Sequence, residues 1–252
     1  MQHKELAIVV GAAGAIGSVI TQQLAEVGLS VVAVGRDGDK LADLARRNSP
    51  AVAPCIADIG DDRSISAIGD HIGGRTVAMV VHAPGVPVAG GVLTVSTDAV
   101  MACCNIKAGG FLRLVRAAEP GLRRGSRLIA IGGHYGFEPS PYAATAGIGN
   151  AALTNLVRQM SWAYGDRGVT AHLLAPGPAD TERLRKVAAD RASRSGQNVE
   201  DELDAIRKES AIGALTEPAQ VAWAVRMLLA PEADALAGSS IMLDSGRRRG
   251  LP

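Results

Sequence analysis

Seven short apolar runs recur along the chain, all but the last followed by a segment with helical spacing, and this alternation constrains the fold more than any other feature. The runs are Leu6–Val10, Ser30–Val34, Ala51–Ala57, Val77–His82, Arg127–Ile131, Thr170–Leu174 and Ser240–Leu243. They are rich in β-branched residues and apolar throughout, the signature of strands buried on both faces. Helical spacing appears near 15–28, 38–47, 62–72, 97–118, 146–165 and 218–229. Repeated strand–helix–strand units with right-handed crossovers predict an α/β protein: a doubly wound, parallel, seven-stranded sheet with helices on both faces.

The 252 residues suffice for one large core. No linker or shift in composition divides them, so the expectation is a single domain over 1–252. The charged stretch around 182–212 interrupts the regular spacing. It predicts one or two helices over the cleft, a natural substrate lid.

Lys and Arg number 26 against 25 Asp and Glu. A balance so even gives no reason to expect nucleic-acid or membrane partners. The first apolar run meets glycine after Val10 and is too short for a signal or a span. Three cysteines, Cys55, Cys103 and Cys104, without CxxC spacing fit a reduced, cytoplasmic chain. No cluster has metal-ligand spacing, so no metal is expected.

Chemistry enters at Gly11-Ala12-Ala13-Gly14-Ala15-Ile16-Gly17, which joins the first strand to the first helix. A glycine-rich turn here lets backbone approach a pyrophosphate, whose charge the helix N-terminus favours. Gly11, Ala13, Gly14, Ile16 and Gly17 are therefore cofactor-site candidates. The second strand ends Gly35-Arg36-Asp37. Arg36 suits the 2′-phosphate of NADP(H), whereas Asp37 either accepts the ribose hydroxyls of NAD or caps the next helix. NADP(H) is favoured over NAD(H). Asp58 after the third strand either meets the adenine or caps its own following helix.

With these residues in place, the chain resembles the short-chain dehydrogenase/reductase (SDR) family, a Rossmann-fold family, over nearly its whole length. The resemblance rests on the glycine turn, Asp58-Ile59, Asn105 in the fourth helical segment, Pro176-Gly177-Pro178-Ala179-Asp180-Thr181, and Gly238 with Asp244-Ser245-Gly246. It implies cofactor contacts from Ile59, from Ala83 and Gly85 after the fourth strand, and from Pro176, Gly177 and Thr181. It also implies a small-molecule substrate, a homodimer or homotetramer, and a catalytic Asn, Ser, Tyr and Lys. The tyrosine exchanges a proton with the substrate oxygen, and the lysine lowers the tyrosine pKa and binds the nicotinamide ribose.

Here the pattern departs from the family. Aligning Ala151–Arg158 with the family's helix puts Asn150 at the lysine position, Ala146 at the tyrosine position and Gly133 at the serine position. Glycine, alanine and asparagine offer neither a dissociable phenol nor a cation. Asn105 keeps its family identity, and Asn150 can still bond the nicotinamide ribose. His134 and Tyr142 are candidate replacement acids, with His82 behind them. Each also has a plain reading as hydrogen-bonded or packed structure. Tyr142, eight residues before Asn150, partly resembles the wider Tyr-to-Lys spacing of the enoyl-acyl-carrier-protein reductase branch.

Three functions follow: an NADP(H)-binding oxidoreductase with a re-sited proton donor, a catalytically silent binding or regulatory protein, and a non-redox cyclase, isomerase or dehydratase using the same cleft. Base rates within the family put the oxidoreductase first.

Overall fold

Side chains that alternate along seven parallel strands feed two separate cores, one on each face of a single sheet. The computed structural model describes residues 5–87 and 89–250, with only the backbone at 194. The expected span 1–252 thus includes residues 1–4, 88, 251 and 252, which lie outside the described ones. The strands are β1 (Leu6–Val10), β2 (Ser30–Gly35), β3 (Val52–Ile56), β4 (Val77–His82), β5 (Leu122–Ile131), β6 (Thr170–Pro176) and β7 (Ser240–Leu243). They lie in the order β3-β2-β1-β4-β5-β6-β7, every pair parallel. The order reverses direction between β1 and β4, where a doubly wound sheet opens its ligand crevice.

On one face, Ile8, Val10, Val80, Leu128 and Ala130 pack with residues of α3 (Arg63–Ile72), α5 (Gly110–Ala118) and α6 (Ala144–Gly165). On the other, Ala7, Val9, Met79, Val81 and Ile129 pack with α1 (Ala15–Glu26), α2 (Gly38–Arg47) and α9 (Pro218–Met227). Successive residues of one strand point to opposite faces, so continuous apolar runs serve two layers at once.

The helix expected over 97–118 is broken. Thr97–Cys104 forms a regular helix (α4), capped by the Ser96 side chain. Residues 105–109 then make a wide turn closed by a bond from the Gly110 N–H to the Asn105 carbonyl, five residues back. Three contacts stabilise this bulge, which is otherwise a costly interruption. The His82 ring bonds the Ile106 carbonyl at 3.0 Å, and Arg113 donates to the carbonyls of Asn105 and Ile59. Gly110 also lacks room for a side chain, since a Cβ would lie 2.8 Å from His82 Cε1.

The charged stretch expected as a lid is two helices, α7 (Glu182–Ser195) and α8 (Val199–Lys208), capped by Thr181 and Asn198. Leu203 and Ile206 are their buried apolar anchors on α8. Among the described residues, no helix is long and apolar enough to cross a membrane.

Candidate active site

Every candidate cofactor residue falls at the carboxyl end of the sheet or on the helix behind it. Gly11 follows β1 with φ of +79°, a conformation that favours glycine. A Cβ on it would come within 2.7 Å of the Ala83 carbonyl. The turn is pinned from behind by bonds from the Gly11 and Ala12 N–H groups to the Val34 carbonyl. Gly17 lets α1 close on this turn, because a Cβ there would lie 2.1 Å from the Gly11 carbonyl oxygen. Gly14 caps α1 without a side-chain acceptor, and the first turn holds no acidic residue. The α1 N-terminus thus presents uncapped amides, the donor set a pyrophosphate takes.

Asp37 caps α2, its side chain accepting from the Lys40 N–H at 3.1 Å while pairing with Lys40 Nζ at 3.1 Å. Arg36 beside it is exposed and has no ion pair among the described residues. A hollow of about 380 Å³ next to the turn is lined by Ala13, Ser18, Lys40 and Arg47, among others. Asp58 does not cap α3. Its Oδ1 accepts from the Gly60 N–H two residues on, while Asp61 accepts from Arg63 at the helix start. Ile59 is buried. After β6, the Pro176–Thr181 turn is anchored to β7 by the Gly177 N–H bonded to the Leu243 carbonyl, and Thr181 caps α7.

The candidate catalytic residues sit less uniformly. Gly133 and Asn150 do meet: a Cβ on Gly133 would lie 2.9 Å from Asn150 Nδ2, and one on Gly136 the same distance from Asn150 Cβ. Asn150 is buried on α6, and its Oδ1 has no hydrogen-bond donor. Ala146 is one turn earlier on the same helix and half-buried.

Asn105 does not join them. It is exposed, and its Nδ2 donates to the Gly60 carbonyl at 2.9 Å, tying the bulge to the turn after β3. The wide turn rotates Lys107 inward instead, where it is 6% exposed. Tyr142 is 78% exposed, with its backbone N–H bonded to Ser140. His134 is buried and stacked against Tyr135 at 4.0 Å between ring centroids. Burial, helped by the nearby Arg247, pushes its pKa down to about 4. The ring is therefore held neutral at physiological pH in the folded chain. His82 is more extreme: burial and then Lys107 push it down to about 3. It serves as a bracket for the bulge.

Two residues missed in the sequence reach this region. Lys107 is the only charge in the run Val100–Leu112 and directly precedes Ala108 and the Gly109-Gly110 pair. A glycine pair inside a helical pattern was the available signal of a break. Arg183, at the start of α7, reaches back across the cleft to bond the Val86 carbonyl. Among the described residues no cluster can hold a metal ion.

Residues 11–248 match the family model described as enoyl-(acyl carrier protein) reductase. An uncharacterized oxidoreductase of Staphylococcus epidermidis is 25% identical over 225 residues, covering 86% of this chain and 94% of its own. L-sorbose reductase from Gluconobacter frateurii, solved with NADPH and L-sorbose, superposes with a TM-score of 0.91 at 19% identity, covering 98% of each chain. An NADPH-bound short-chain oxidoreductase of Pseudomonas aeruginosa PAO1, described as containing an atypical catalytic center, gives 0.85 at 22% identity, again over 98% of each.

Proposed function

The chain belongs to the short-chain dehydrogenase/reductase family, and on that premise we propose that it is an NADP(H)-dependent oxidoreductase of a small organic substrate with a re-sited proton donor. One observation carries the cofactor reading. Asp37 is engaged as a helix cap, which leaves exposed, unpaired Arg36 as the charged group at the β2 tip. An arginine there matches a 2′-phosphate, and a capping carboxylate is poorly placed to take ribose hydroxyls. The NADPH held by the similar structures supports the same assignment.

NADPH, when bound, supplies hydride. The chain's own part is to hold and orient. The Gly11–Gly17 turn and uncapped α1 amides take the pyrophosphate, and Arg36 takes the 2′-phosphate. The Pro176–Thr181 turn and the Asn150 amide serve the nicotinamide end. Gly133, Ala146 and Asn150 stand at the family's Ser, Tyr and Lys positions. The contact between Gly133 and Asn150, and the shared helix face of Ala146 and Asn150, support that register. Exposed Met101, Ile148 and Trp162 on α4 and α6 support a homo-oligomer built on those helices.

A second reading, a silent cofactor-binding subunit, is favoured by the neutral His134 and the exposed Tyr142. Fluorescence titration with NADPH and NADH, followed by hydride-transfer assays on a carbonyl and enoyl panel, separates the two. Tight NADPH binding with turnover supports the reductase. Tight binding without turnover supports the silent subunit, and no binding of either cofactor sinks both.

A further inference from the structure

The helix break between α4 and α5 does more than accommodate glycines. It turns a lysine into the interior beside the residues that replace the family's catalytic set. The Lys107 stem lies against Gly149 of α6, where a Cβ would stand 3.5 Å from Lys107 Cγ and 2.5 Å from Cys103 Sγ. Its Nζ donates to the carbonyl of Ile131, the last residue of β5, at 3.0 Å. Gly133 is only two residues further on, at most about 7 Å of chain beyond Ile131.

An ammonium has three N–H donors. Lys107 has one acceptor, and no carboxylate pairs with it among the described residues. A cation buried so sparsely is costly unless something else completes its shell. On α6, one residue beyond Gly149, buried Asn150 Oδ1 lacks a donor. The resemblance assigns an asparagine to the fourth helical segment and a lysine to the helix after the tyrosine. In this chain the cation is on the former and the amide on the latter.

We propose that Lys107 is the proton donor of this cleft, delivering its proton to the substrate atom that gains negative charge on reduction. The assignment rests on the NADP(H) reductase reading and names the residue that does the acid's work. For a carbonyl substrate, hydride from NADPH supplies the electron pair of the new C–H bond, and the carbonyl π pair moves to oxygen. One Lys107 N–H bond breaks as the O–H bond forms, and the amine regains a proton from water.

The surroundings suit the task. The groups facing Lys107 are Cys103 of α4, held as a neutral thiol by burial; Arg183 of α7, of like charge; and neutral His82 of β4. Burial foremost, with Arg183 adding to it, brings the Lys107 pKa down to about 8. The group is thus charged at neutral pH and able to release its proton there.

The test uses the full chain, its Lys107→Gln variant, and ethyl acetoacetate and 2,3-butanedione as carbonyl probes. In the wild type, turnover should fall as pH rises through about 8. In the variant, it should drop at least about 100-fold and lose that limb, with NADPH affinity held within about twofold. Independently of turnover, NMR of 15N-labelled lysine should show a buried amine titrating near pH 8 that disappears in Lys107→Gln and shifts when NADPH is added. Unchanged turnover in the variant, loss of NADPH binding, or a Lys107 amine titrating above pH 10 would each overturn the assignment. A wild type that binds NADPH but reduces neither probe nor the wider panel sinks the reductase reading itself, and the acid role with it.

Discussion

The two ends of the sheet both bury cations and histidines, yet they treat them in opposite ways. Toward the amino ends, Arg127 bonds the Leu228 and Ala230 carbonyls and the Thr170 hydroxyl and pairs with Asp234. His172 beside it uses both ring nitrogens, on the Leu236 carbonyl and Thr170. At the carboxyl ends, His82 Nδ1, His134 Nε2 and Asn150 Oδ1 lack partners, and Lys107 has a single acceptor. Thr21, Gln23 and Ser239 also carry unpartnered buried atoms, but scattered away from this cluster. Since buried polar groups are nearly always paired, a satisfied network marks architecture, and a group of orphans at the ligand end marks a place for something else to bind.

The largest test of this contrast is acid. His82, His134 and His172 are each held neutral, with folded pKa values of about 3, 4 and 4 against an ordinary 6.5. Their folded pKa values are depressed, so the unfolded chain binds more protons between pH 6.5 and about 4, and stability falls as pH drops through that window. Three such groups are together comparable to the marginal stability of a domain, so the far-ultraviolet circular dichroism should fall as pH drops toward 4. His172→Asn should lower the onset less than His82→Asn if the unpaired end is the weaker one.

Next in size, Arg127→Met should cost about 3 kcal/mol in urea unfolding by orphaning the carbonyls it serves. Lys107→Met should behave oppositely at pH 7, being neutral or stabilising by up to about 2 kcal/mol. The lysine pKa is lowered from 10.5 to about 8. The wild type should therefore regain about 3 kcal/mol as pH rises from 8 to 10.5, closing the gap to the methionine variant. A gap that does not change with pH would place Lys107 with Arg127 as architecture.

A smaller effect is expected at the cofactor. Arg36→Ala should weaken NADPH about tenfold while leaving NADH nearly unchanged, read by fluorescence titration. The smallest belongs to Tyr142→Phe. Its side chain is 78% exposed, so cofactor affinity and turnover should stay within about twofold.

Much of this molecule was legible from local pattern. Apolar runs and turn glycines specify where strands lie and where β1 must bend, because hydrophobic burial and backbone sterics act on neighbours in the chain. The register that puts Gly133 and Asn150 at the family's serine and lysine positions came instead from the resemblance to the family. Local pattern did not distinguish Asn105 from Lys107, two positions apart in an unbroken helical pattern. A single wide turn, held by His82 and Arg113 from elsewhere in the chain, rotates one outward and the other inward.

The chain's own order of residues thus determined the parallel sheet, its strand count, and the ligand end of the fold. Those follow from periodicity and from glycines no other residue can replace. Only the tertiary structure decided which polar groups are charged, paired or orphaned there. Asp37 became a cap, Asp58 a local turn, His134 a neutral ring and Lys107 a buried cation. Protonation and partnership depend on desolvation and on atoms contributed by distant segments, and these exist only once the chain has folded.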